Sequence, residues 1–213
     1  MKIRSGALIG ALIFVAIQEL IAHPVAFKGA NQWRFDFSDS MQSAELYHSY
    51  TADKAFGMRY LRFDDHSTED SFLGVQHNWL LHRWNLPDAQ ANLYAGIGFG
   101  AAQSESHDWS PGGLSFLQAD WETRRWYAAW NSTVLYAQEF THWRNVSAVG
   151  VAPYKAEYDQ LNTWFLFKAE HTTEFHDNEI QFIPTLRLFK KNIFVEAGVS
   201  FEGELRLSFM IHF

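Results

Sequence analysis

Apolar and polar residues alternate along most of this chain, and the end shows it most sharply. Leu205, Leu207, Phe209, Ile211 and Phe213 fall on one face of an extended segment, and Glu204, Arg206, Ser208, Met210 and His212 fall on the other. Ile193 to Ser200 repeats the pattern: Ile193, Val195, Ala197 and Val199 oppose Phe194, Glu196, Gly198 and Ser200. In Ile180 to Phe189, Ile180, Phe182, Leu186 and Leu188 oppose Gln181, Thr185 and Arg187. Pro184 lies on the apolar face there, and its missing donor predicts a local bulge. Leu93, Ala95, Ile97, Phe99 and Ala101 oppose a row of Asn92, Tyr94, Gly96, Gly98 and Gly100. A period of two sustained in this way predicts strands with one apolar and one polar face.

Ten such runs are expected: 42–51, 55–64, 72–84, 89–103, 114–122, 125–139, 159–169, 180–189, 193–201 and 204–213. Polar breaks rich in Pro, Gly and Asp separate them, as hairpins require. Trp33 to Phe37 also alternates and would be an eleventh, in which case parity demands a twelfth within Val146 to Tyr154. The loops after Asp64, Gln103 and Glu139 are expected to be the long ones. Ten strands would place these loops on the same side as the termini; twelve would place them on the opposite side. The runs approach the 9–11 residues, roughly, that a tilted strand needs to cross a bilayer.

The terminal alternation closing on Phe213 resembles the carboxy-terminal insertion signal of bacterial outer-membrane β-barrel proteins, without pointing to one family among them. That resemblance implies an all-β, single antiparallel transmembrane barrel of about 10–12 strands. It also implies the outer-membrane lipid and the barrel-assembly machinery as partners. The amino-terminus agrees with export. Lys2 and Arg4 precede an apolar stretch from Ala7 to Ile17, the layout of a cleavable signal peptide over residues 1–22, with Ala26 a second cleavage candidate. Residues 23–213 are then one barrel domain, with no linker or repeat dividing them.

Composition narrows the function. The chain has no cysteine, which removes disulfides and thiolate chemistry, while 9 Trp, 8 Tyr and 19 Phe suit aromatic girdles at two membrane interfaces. A formal charge of −7 gives no electrostatic support to nucleic-acid binding. The expected role is a small passive channel or a structural barrel, with cations as the solutes that the acidic balance suggests. Arg187, Glu196, Glu204, Arg206 and His212 are expected on inward faces as a charge network, because isolated charges in a confined lumen are costly.

Two further readings differ in class. A metal-associated binding or efflux-accessory protein would use the loop set His171, His176 and Asp177. His77 and His82, five residues apart, would face opposite ways and could not share an ion without a bulge. A lipid-modifying hydrolase would use Ser104-Glu105-Ser106-His107-Asp108, although neighbours in a loop seldom converge as a triad. An enzyme is the less favoured class, and no cofactor is expected. The glycine row at Gly96, Gly98 and Gly100 mimics a nucleotide loop but lacks the following helix, so it reads as small inward residues in a narrow barrel.

Overall fold

The computed structural model describes residues 23–64, 69–105, 107–157, 159–173 and 179–213. Residues 1–22, with the expected signal peptide, lie outside them. Twelve strands follow in chain order: β1 (Asn31–Phe37), β2 (Met41–His48), β3 (Lys54–Asp64), β4 (Glu69–Asn85), β5 (Ala89–Ser104) and β6 (His107–Thr123), then β7 (Trp126–Ala137), β8 (Thr141–Val151), β9 (Asn162–Thr172), β10 (Gln181–Lys190), β11 (Ile193–Val199) and β12 (Leu205–His212). Each pairs antiparallel with its sequence neighbours, and β1 pairs with β12 to close the barrel. The seam is tight: Asn31 N donates to Phe213 O at 2.7 Å and Phe213 N donates to Asn31 O at 3.0 Å. No sheet edge is left at the seam, which matters where lipid cannot satisfy backbone groups.

Twelve strands resolve the parity question, because Trp33 lies on β1 and the region before Tyr154 contributes β8. The three loops expected to be long are not: β4 begins five residues after β3 ends, β6 three after β5 and β8 four after β7, at the strand ends opposite the termini. Their residues are taken up by longer strands: β4 and β6 have 17 residues and β5 has 16. Strands of that length, about 55 Å at 3.3 Å per residue, outrun the roughly 30 Å hydrocarbon layer even when tilted. The β4–β5 hairpin therefore overhangs the end that carries the termini, and β5–β6 overhangs the other.

The outward face is an apolar band. Leu73, Val75, Ile97, Phe99, Phe165, Phe167, Val195, Leu207 and Phe209 are all exposed. Trp33, Tyr50, Trp84, Trp126 and Phe213 form a girdle at the terminal end, and Phe37, Trp109, Tyr136, Trp143 and Phe201 form one at the other. Amphipathic rings belong at such interfaces. Leu205 also faces outward, and Ile211 is half-exposed, so the apolar face read from the terminal alternation is the outer one.

Two local expectations change. β10 runs through Pro184 in register with Phe167 of β9, without a bulge. Pro184 lies just past the last β10–β11 pair, Thr185 with Gly198, where a missing donor breaks no ladder bond to β11. The register shifts occur instead at Leu80/His82 and Ala102/Ser104. The first reverses the expected facing of two histidines. The extra residue at Leu81 turns His82 to the same outer face as His77, where each packs on a tryptophan, His77 on Trp79 at 4.2 Å and His82 on Trp84 at 4.3 Å.

The glycines of β5 face inward. A Cβ at Gly96 would run into the Phe116 ring and come within 2.7 Å of Asn78 Oδ1, so glycine there makes room for the Phe116 ring.

Candidate functional site

The inward residues build a lumen with two unlike walls. One is apolar: Met41, Leu61, Phe63, Phe72, Leu114, Phe116 and Leu135, from β2 to β7, form one buried cluster. The other is charged and comes mainly from β8 to β12 and β1, with Glu45 of β2 and Arg59 of β3 at its border. Between them lies about 1530 Å³ of atom-free space, part of it open to solvent.

The charged wall is a run of ion pairs. Arg144 grips Glu170 through both ends of its fork, Nε to Oε1 at 3.0 Å and Nη2 to Oε2 at 2.8 Å. Glu196 holds two cations, accepting from Arg187 Nε at 2.7 Å and Lys168 Nζ at 2.5 Å. The Arg187 guanidinium also stacks over Tyr127, 4.5 Å from the ring centre, and Phe194, at 5.0 Å. Arg34 pairs with Asp36 at 3.1 Å, and Arg59 with Glu45 at 3.2 Å. Near the end opposite the termini, Arg206 donates to Glu204 Oε2 at 2.9 Å, Ser38 Oγ at 2.7 Å and Gln181 Oε1 at 2.6 Å.

Of the five residues expected in the network, Arg187 and Glu196 face each other across β10 and β11. Arg206 turns to Glu204 and Gln181 and comes within 3.9 Å of Glu170 Oε1, without contacting Glu196 itself. His212 sits towards the terminal end, 3.0 Å from Gln32 Oε1. Arg187 with Glu196 and Arg206 with Glu204 thus form separate direct pairs, with Glu170 beside Arg206 and His212 outlying. Lys168, Glu170, Arg144, Arg34, Asp36, Glu45 and Arg59 complete the wall and were not singled out from the sequence. Alternation on β9 could have placed Lys168 and Glu170 inward, since Trp164, Leu166, Lys168 and Glu170 share a face.

A second kind of polar site is buried. His142 Nε2 donates to Asp70 Oδ2 at 2.8 Å, with the ring stacked on Phe140 at 4.9 Å. Around the terminal mouth, the side chain of Asp120 accepts from Asn92 Nδ2 at 2.7 Å and lies 3.5 Å from His23 Nδ1.

The metal and hydrolase sets fare differently. His171 is on β9, paired with Asn145, rather than in a loop. His176 and Asp177 lie outside the described residues. Among the described residues no group of three or more His, Asp or Glu side chains is placed to hold an ion. Ser104 and His107 form the last cross-strand pair of the β5–β6 hairpin, and Ser106 lies outside the described residues, so the stretch is a hairpin tip.

No protein-family model and no curated protein matches the chain. Solved structures do. A KdgM porin in complex with disordered oligogalacturonate is similar over 86% of this chain and 98% of its own, at 10% identity and a TM-score of 0.50. A second KdgM porin structure is similar over the same shares, at 11% identity and a TM-score of 0.50. Identity this low speaks to the fold alone. Closed twelve-strand topology, an apolar outer band and a polar lumen give this chain the fold of an outer-membrane porin-type β-barrel.

Proposed function

We propose that the chain is a narrow outer-membrane channel for small polar solutes, with a preference for anions. One observation carries the reading: the solvent-connected lumen is lined by six cationic side chains, Arg34, Arg59, Arg144, Lys168, Arg187 and Arg206, against the carboxylates that pair with them, Asp36, Glu45, Glu170, Glu196 and, at the lumen's edge, Glu204. Arginine and lysine thus outnumber their carboxylate partners by one. The overall charge of −7 suggested cations. An ion in a lumen responds to the charges around it far more than to those beyond a Debye length of about 10 Å at 0.1 M salt.

One structural neighbour holds an oligogalacturonate, a polyanion. Here each of the six cations already has a carboxylate partner, so small anions suit this lumen better than a long acidic polymer needing a run of open cations. The test is single-channel recording of the purified barrel in planar bilayers across a salt gradient. Discrete openings with a reversal potential on the anion side are expected. Absence of conductance from correctly folded protein would overturn the channel reading, and cation preference would overturn the charge argument.

A further inference from the structure

The first described residues enter the lumen before the chain begins its first strand. His23, Pro24 and Val25 are buried, at 5% exposure for His23 and 2% for Val25. Their partners come from several strands around the mouth that carries the termini. His23 Nδ1 shares a hydrogen bond with Tyr94 OH of β5 at 2.7 Å and faces Asp120 of β6 at 3.5 Å. Asn78 Nδ2 of β4 donates to Pro24 O at 2.9 Å. Val25 packs into the apolar wall, in one cluster with Tyr47, Ala55 and Tyr94.

The chain then leaves the lumen by a sharp reversal. Ala26 N donates to Ser49 Oγ at 2.9 Å, Gly29 N donates to Ser49 O at 2.6 Å, and Ala30 N donates to Phe27 O at 3.0 Å. Gly29 has φ +88°, a conformation that costs glycine little, and Phe27 is already 53% exposed. A segment that merely trailed from β1 would need neither the reversal nor matched polar partners inside.

We propose that His23–Ala26 is a resident plug in the mouth that carries the termini, narrowing the lumen that the charged wall lines. The same geometry assigns processing to the bond after Ala22: cleavage there leaves the plug intact, whereas cleavage after Ala26 removes it. The buried Asp120 carboxylate supports this, since loss of His23 takes away the one cationic-capable group facing it among its described contacts.

Three measurements decide the matter, and only the last rests on the channel reading. Intact mass of the mature protein should begin at His23; a chain beginning at Phe27 would overturn the plug. The absence of native cysteine lets single thiols report position. In folded protein, Val25→Cys should react with a small maleimide roughly tenfold more slowly than Phe27→Cys, because the buried site must first open. Equal rates would overturn the seating even if the deletion variant failed to fold. Removal of residues 23–26 should raise single-channel conductance roughly twofold or more, since the narrowest section limits flow. A folded deletion variant with unchanged conductance would show that the segment does not occlude. If neither variant nor parent conducts, the channel reading fails while mass and labelling still judge the plug.

Discussion

Glu196 binds Arg187 and Lys168 together in a wall where the arginine side chain is 7% exposed and the carboxylate 4%. Its removal leaves two cations uncompensated, and breaking such a buried pair costs about 3–5 kcal/mol. Glu196→Gln should therefore lower unfolding stability in detergent by that order, and Arg187→Met added to it should restore part of the loss. The cycle should show coupling of about 0.5–3 kcal/mol, whereas strict additivity would mean that the pair does not interact. Glu204 behaves differently because it sits in the β11–β12 turn, outside the spanning strands. Partial burial there pushes its carboxyl up, but hydrogen bonds from Ser40 and the charge of Arg206 win and hold it below the usual carboxylate range. A depressed folded-state value gives stability that is present above the unfolded value, about 4.3, and is lost as pH falls through the folded one. Acid should thus loosen this turn first, read as faster amide exchange at Ser40 below about pH 4, and Glu204→Gln should abolish that dependence.

Among the elements, β12 shows how facing governs tolerance. Leu207 and Phe209 are outward and exposed, and Arg at either should cost about 2–4 kcal/mol near the bilayer midplane. Ser208 points into the lumen beside the Asp36 carboxylate, so Ser208→Arg should cost less. Equal losses in unfolding from bilayers would mean the facing is wrong. Deletion of Phe213, or Phe213→Lys, should impair assembly, read as lost heat-modifiable migration, because this residue closes the seam with Asn31 and packs edge-on against Trp33 at 5.1 Å. β8 explains why one strand was hard to see. Its outer face carries Thr141, Asn145 and Ser147, while Val146 and Ala148 point inward, so polarity does not follow the usual outward-apolar rule.

For the whole molecule, the lining proposed to favour anions and the formal charge of −7 predict opposite selectivity. Lys168→Gln separates them cleanly, since Glu196 keeps Arg187 and the lining loses one positive charge. The reversal potential should move towards cations, with a smaller loss of stability than for Glu196→Gln because Arg187 still pairs with the buried carboxylate. An unmoved reversal potential would show that the paired wall does not set selectivity. The two-walled lumen follows from closure: bending twelve strands round brings the apolar inner rows of β2 to β7 opposite the charged rows of β8 to β12 and β1.

Alternation alone determined the strand class and the apolar faces of β10, β11 and β12, because a period of two is a local property of sequence; the barrel was what the resemblance of the segment closing on Phe213 implied. Alternation also placed Arg187 and Glu196 on inward faces. Only the tertiary structure decided which charges meet, since Arg206 reaches Glu204, Ser38 and Gln181 through neighbouring strands and the turn before β2. Registers are set between strands, so the bulge that turns His82 outward was invisible within β4 itself. The strand count rested on closure of β1 against β12, a contact between residues 31 and 213. The seating of His23 against Tyr94 and Asp120 has the same origin: its partners lie about seventy to a hundred residues away and come together only when the sheet closes.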